Sequence, residues 1–202
     1  MSRTARKPPR RKAKQLRSER TIAVVLEAAA QVLQREGHAR ATTNRIAQRA
    51  GVSVGTIYQY FADKEQVFDA LIRREVEGLL ATLQGVAFDP SASIDDALRQ
   101  LLRLLVRARP DAPLLYRSLE QVPNALFRRR VAEARGRLVD WVHALLASHR
   151  SEIQVRDLDV AAFLLVSAAE GVAVNSSPEF YRSRGADELA LLFSRYLTGG
   201  DA

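Results

Sequence analysis

Along most of this chain apolar side chains recur at intervals of three and four, the spacing that gathers them on one side of an α-helix. Ile22, Val25, Leu26, Ala29, Val32 and Leu33 form one such stripe, which runs to Glu36 and stops at Gly37. Ile46, Ala47 and Ala50 form a shorter one, ended by Gly51, and Ile57 and Phe61 pin a third helix inward. Asp63 with Gln66 reads as a capping box, opening a fourth helix that carries Phe68, Leu71, Ile72, Val76, Leu79 and Leu80. The stretch from Phe88 to Ser93 breaks the pattern. Further helices are predicted over Ile94–Arg109, over Leu114–Leu119 and from Pro123 to Ser148, the last with Phe127, Val131, Ala134, Leu138, Trp141, Val142 and Leu145 inward. Another starts at Asp157 or Asp159 and closes at Ser177-Pro178; the last runs from Gly185 to Leu197 on Leu189, Leu192, Phe193 and Tyr196. No strand pattern and no repeat interrupts these helices, so the expected fold is all-α.

Residues 42–61 stand out. Thr42 or Thr43 caps the second helix, Gly51 accepts the left-handed turn that ends it, and Ser53 offers an N-cap oxygen to the next. That third helix leaves Thr56, Tyr58, Gln59 and Tyr60 on or near its outer side. Two short helices around a Gly-containing turn make a helix-turn-helix, whose second helix enters the major groove of DNA.

The residues from about Arg20 to Leu79 resemble the DNA-binding domain of TetR-family transcriptional repressors. The resemblance rests on Thr21 to Leu33 with Ala28-Ala29, then Gly37, Thr42-Thr43, Ile46-Ala47, Ala50-Gly51-Val52-Ser53, Gly55, Ile57-Tyr58, Tyr60-Phe61 and Lys64-Glu65. It implies three functional regions: a basic, disordered arm over 1–18, a helix-turn-helix domain over 19–79, and a helical effector-binding and dimerisation domain over 85–202. It also implies phosphate contacts from Thr43, Tyr58, Tyr60 and Lys64. Chemistry adds the base readers: Gln59 can pair with adenine, and the methyl groups of Thr56 and Val54 can touch a thymine methyl. Gly55 has no Cβ to hold the helix away from DNA, and Arg45 and Ser53 complete the DNA-facing set. Tyr60 has an equal reading as a packing partner of Phe61, and Lys64 as a solvated first-turn residue.

Charge sharpens this picture. Residues 1–20 hold nine Lys/Arg against Glu19 alone, a net of +8, and the rest of the chain carries 22 residues of each sign. A basic arm lowers the energy of phosphate contact and can enter a minor groove; the alternative is a solubilising tail. A secretion signal is disfavoured because Glu27, Gln31 and Gln34 interrupt its apolar segment. The chain has no cysteine, which excludes disulfides and thiol chemistry. No apolar run approaches the ~20 residues of a membrane span.

Past the reading head, Val160 to Val174 is apolar nearly all round, with small residues at 161, 162, 167, 168 and 171. With residues 186–198 it looks like the helix pair that joins two TetR-family subunits in a four-helix bundle; burial within one subunit is the alternative. The resemblance places a small-molecule effector among the central helices, with Leu105, Leu115, Tyr116, Leu119, Phe127, Trp141 and Phe163 as candidate liners and Glu170 as a polar anchor. Each of these is more often simple core than ligand contact. No phosphate loop or dinucleotide fingerprint occurs, and His38, His143 and His149 are scattered. Catalysis, metal and cofactor are therefore not expected. The reading that follows is a cytoplasmic homodimeric repressor, released from a pseudopalindromic operator on double-stranded DNA by an effector of unspecified class. The alternative is a sequence-tolerant DNA-coating protein driven by the arm.

Overall fold

The computed structural model describes residues 10–86, 91–120, 122 and 125–199, with the side chains of 10–14 and 125–127 left aside. The described residues form helices joined by turns, with no strand among them. They divide into two compact units between Leu71 and Ile72.

The first unit contains α1 (Arg10–Glu36), α2 (Thr43–Ala50), α3 (Val54–Tyr58) and the start of α4 (Lys64–Gln84). Its core gathers Val25, Ala29 and Leu33 of α1, Ile46 of α2, Ile57 of α3, and Val67, Phe68 and Leu71 of α4, all buried. The anticipated stripes thus point into a common centre. Each short helix is fastened at its start. Thr42, and not Thr43, caps α2 by accepting from Arg45 N at 3.2 Å. Ser53 caps α3 by accepting from Thr56 N at 3.0 Å. Between them Gly51 takes φ +68°, where a side chain would be strained. Asp63 Oδ1 accepts from Gln66 N at 2.8 Å, while the Gln66 side chain reaches Ala62 N and not Asp63 N. The arm differs from expectation: α1 begins at Arg10, so residues 10–18 are helical, and residues 1–9 lie outside the described residues. Helix propensity explains it, because Arg, Lys, Ala, Gln and Leu all favour a helix that already exists downstream.

The second unit contains the rest of α4, then α5 (Ile94–Ala108), α6 (Ala112–Leu119), α7 (Ala125–Ser148), α8 (Leu158–Asn175), α9 (Pro178–Phe180) and α10 (Ala186–Thr198). A 3-10 turn at Arg150–Glu152 and a π-helical turn at Tyr181–Gly185 complete it. Helix α5 packs on α10, α7 on α8, and α6 on α8. Leu98, Leu101 and Leu102 of α5, Leu145 and Leu146 of α7, Leu165 and Val166 of α8, and Leu189 and Phe193 of α10 share its core. Long-range bonds tie the ends: Glu152 accepts from Ile94 N at 3.0 Å, and Gln154 N donates to Leu197 O at 2.8 Å. The Arg117 guanidinium donates to Val174 O and Ser176 O, covering the carbonyl end of α8.

One expectation needs correction. The small residues Ala161 and Ala162 are fully buried inside the subunit, so they do not form an outer contact. The outward face of α8 instead shows Val160, Phe163 and Leu164 at 49, 51 and 45% exposure, and α10 adds Leu191, Leu192 and Tyr196. Helix α8 is by length and composition apolar enough to cross a membrane, the one such helix among the described residues, yet Asp159 and Glu170 leave only residues 160–169 between them without a charge, short of a span as the sequence predicts. Alanine and valine raise its apolarity although Asp159 and Glu170 bracket it, and one face is committed to the core. Beyond α8, Ser177 caps α9 with Pro178 in its first turn, so the predicted break is a new helical start.

The Asp157 carboxylate accepts from Asp159 N and Val160 N, both at 3.0 Å, at the start of α8. Asp157→Ala is expected to cost about 1 kcal/mol, read as a lower urea midpoint at unchanged slope; an unmoved midpoint would show that the cap is replaced by solvent.

Candidate nucleic-acid interface and ligand cavity

The outer side of the first unit is built by α2 and α3. Ile57 is fully buried, which turns Tyr58 and Gln59 outward and leaves Val54 and Thr56 partly exposed. Helix α3 is short, ending at Tyr58, with Gln59 still in helical conformation and Tyr60 and Phe61 in the turn that follows. The Tyr58 and Thr43 hydroxyls lie 3.3 Å apart, which brings two candidate phosphate donors from separate helices to one place. Ser53 Oγ and Thr56 Oγ1, 2.8 Å apart, form a second hydroxyl pair at the start of α3. Gly55 is exposed, and a Cβ added to it would meet nothing closer than Ser53 Oγ at 3.7 Å. No packing within the chain therefore calls for glycine at this position. Two of the candidate cations are engaged: Arg45 pairs with Glu36, and Lys64 Nζ donates to His38 O at 3.2 Å. His38 in turn holds Glu65 through Nε2 at 3.0 Å and packs on Phe68, bracing the end of α1 against the start of α4.

The second unit holds an open cavity of about 520 Å³. Ile72, Val76, Leu79, Leu102, Leu105 and Leu138 make much of its wall, and its polar side carries Glu75, Arg109, Tyr116, Arg135, Glu170 and Tyr181. Arg109 pairs with the Glu75 carboxylate and donates from Nη2 to Glu75 O at 2.6 Å. Arg135 donates to Ser167 Oγ at 2.6 Å and lies over the Phe163 ring, 4.9 Å from its centre. Its Nε stands 3.3 Å from Glu170 Oε2, an ion pair, yet this buried N–H has no hydrogen-bond acceptor. Burial raises the Glu170 carboxyl above its usual range, against the opposing pull of Arg135. Burial also raises the Tyr116 phenol, and pushes Tyr181 up to about 12 with help from Tyr116. Both phenols stay neutral and able to donate at physiological pH.

Residues 25–71 match the family described as bacterial regulatory proteins, tetR family, and residues 93–197 match a tetracyclin repressor-like C-terminal domain. The chain belongs to the TetR family. Such proteins are DNA-binding transcription regulators that typically form dimers. This member is similar to the nucleoid occlusion factor SlmA of Vibrio campbellii, 25% identical over 163 residues that cover 79% of this chain and 83% of SlmA. It is also similar to the HTH-type transcriptional regulator SrpR of Pseudomonas putida, 25% identical over 136 residues, 64% of this chain and 61% of SrpR. Its fold is that of a transcriptional regulator from a Rhodococcus species, with a TM-score of 0.72 at 21% identity over 90% of this chain and 98% of the other. The TetR-family regulator PfmR of Thermus thermophilus superposes with a TM-score of 0.70 at 20% identity, covering 88% of this chain and 99% of PfmR.

Within this TetR-family frame the candidate effector residues separate. Leu105, Tyr116, Leu119 and Glu170 line the cavity. Leu115 is buried but does not line it, and Trp141 packs on the second core. Phe163 needs correction: it stands on the outward face of α8, because the side of that helix bearing Ala161, Ala162, Leu165 and Val166 is the buried one. The Phe127 side chain lies outside the described residues. Val131, expected inward, is 39% exposed, although it reaches the lining. The cavity also recruits Glu75, Arg109, Arg135 and Tyr181, which sequence reasoning does not select. By local pattern Arg109 reads as a helix end, and Tyr181 falls beyond the Ser177-Pro178 break. Arg135 follows Ala134 on an otherwise apolar stripe, a signal that could draw attention to it.

Gly55→Ala separates folding from recognition. The variant is expected to be as stable as the parent or more so, by up to about 1 kcal/mol, and to bind operator DNA more weakly in an anisotropy titration. Full affinity would remove Gly55 from the interface.

Proposed function

We propose that this chain acts in the cytoplasm as a homodimeric repressor that reads a pseudopalindromic operator and leaves it when a small molecule fills the cavity of the second unit. The observation that carries this reading is the apolar outer face of α8 and α10. Phe163 at 51% exposure and Leu192 at 57% are too apolar, with their neighbours, to be a settled water-facing surface. A second copy offering the same face would cover them in a two-fold contact. Two-fold pairing presents two α3 helices to DNA, and half-sites one helical turn apart then follow, about 34–36 Å centre to centre. In each half-site Val54, Thr56 and Gln59 read base edges, Gly55 allows the approach, and Thr43, Ser53, Tyr58 and Tyr60 hold the backbone. Arg45 and Lys64 join them by turning from Glu36 and His38 O to phosphates. The basic start of α1 adds sequence-independent attraction.

A second reading, a sequence-tolerant DNA-coating protein, takes its lead from the name nucleoid occlusion factor that the SlmA relatives bear. On that reading the chain occupies many chromosomal sites and uses the basic segment for much of its affinity.

Selection of bound duplexes from a random pool, with the full chain and with residues 2–17 deleted, tests both readings. An enriched pseudopalindrome that survives the deletion is the expected result. Enrichment lost with the deletion, at retained salt-sensitive binding, would favour the sequence-tolerant reading. Phe163→Asp combined with Leu192→Asp is expected to give a monomer in sedimentation and to weaken operator binding at least roughly tenfold, since one head then binds alone. A doubly substituted chain that remains dimeric would place the interface elsewhere.

A further inference from the structure

The buried charges around the cavity are matched from within the chain. Its lining holds two arginines, Arg109 and Arg135, against Glu75, Glu120 and Glu170. Arg109 engages the Glu75 carboxylate and Arg135 the Glu170 carboxylate, while Glu120 is exposed to water. Two neutral donors are not matched in this way. Tyr116, on α6, and Tyr181, in the π-helical turn after α9, both line the cavity, and Tyr181 is only 9% exposed. Neither phenol donates to an acceptor among the described residues. The side chain within hydrogen-bond reach of Tyr116 is Arg109, which is itself a donor only. The polar neighbours of Tyr181 are that same guanidinium and the Tyr116 phenol. The other neutral polar side chains of the lining are spent inside α8: Ser167 Oγ donates to Phe163 O at 2.6 Å, and Asn175 Nδ2 to Gly171 O at 2.9 Å. A π-helical turn is rare and frequent at functional sites, and this one sets both Tyr181 and Gly185 on the cavity wall.

We infer that the cavity takes an uncharged, largely apolar molecule that carries a carbonyl oxygen, to which Tyr116 and Tyr181 donate. This rests on the effector reading above and names the class of molecule. Filling the cavity displaces water from both phenols, and a ligand that returns no acceptor strands two donors. A carbonyl oxygen has two lone pairs and can serve both. A protonated amine supplies no acceptor and adds donors of its own. A carboxylate accepts, but it must leave water to bring a further negative charge to a lining where carboxylates already outnumber arginines. An alcohol accepts as well, yet it brings its own O–H to a corner already made of donors. Ile72, Val76, Leu79, Leu102, Leu105 and Leu138 cover the apolar body.

The test is calorimetric titration of the full-length chain with 2-decanone, 1-decanol, decanoate and decylamine, each below its aggregation concentration, alongside release from the selected operator. The ketone is expected to bind roughly tenfold to a hundredfold more tightly than the acid and the amine, the range for leaving a buried polar group unmet, and several-fold more tightly than the alcohol. Tyr116→Phe combined with Tyr181→Phe keeps both rings and removes both donors. That double variant should lose roughly tenfold or more in ketone affinity, with its thermal unfolding midpoint unmoved. A midpoint that falls together with the affinity would make the phenols structural and overturn their assignment. Unchanged ketone affinity in the double variant, no binding of the ketone, or any other probe binding as tightly as the ketone overturns the inference too. Selective ketone binding that leaves operator affinity unchanged would uphold the ligand class and sink the effector reading instead.

Discussion

Helix α8 has more apolar surface than one packing partner can cover, and much of the second unit follows from that constraint. Water is an unfavourable neighbour for Val160, Phe163 and Leu164 on one side as it is for Ala161, Ala162, Leu165 and Val166 on the other. The second set is satisfied within the subunit core. The first set is left facing out, and the proposed pairing of two copies is the arrangement that covers it. Between the two sets, Ser167, Glu170 and Gly171 look sideways into the cavity. One helix thus contributes to core, cavity wall and outer face, and a substitution on any side acts on the other two through the same backbone.

The DNA-binding unit depends on a different economy of size. Helix α3 has five residues and cannot stand as an isolated helix. It holds because Ile57 is anchored in the core and Ser53 closes its first turn. This leaves the outer residues free of structural duty, and the freedom of Gly55 from any packing demand is the clearest sign of it. The hydroxyl pairs Thr43–Tyr58 and Ser53–Thr56 set polar groups in position before any partner arrives. Ordering that is complete in the free protein does not have to be repeated at binding.

In the cavity, burial makes charge arrangement decisive. Arg109 and Glu75 are 18 and 13% exposed, so neither can turn to water when its partner leaves. Arg74, more exposed, also donates to the Glu75 carboxylate.

The helical character of the chain was legible in its sequence, because a stripe at intervals of three and four is a local property that survives without knowledge of neighbours. So were the turn at Gly51, the Ser53 cap, the burial of Ile57 and Phe61, and the family resemblance carried by residues 20–79. Local rules also located the starts of α5 and α8. They failed where the decision was tertiary. The arm continues α1 because a helix already exists below it, and Pro178 starts a helix after what read as a stop. Phe163 and Trp141, both apolar on helices, look alike in sequence; only the packing of α7 on α8 separates the outward one from the inward one. The Arg74–Glu75–Arg109 triad was invisible for the same reason. Residues 75 and 109 are joined by the fold alone, and no local pattern records which carboxylate a distant arginine will reach once both are removed from water.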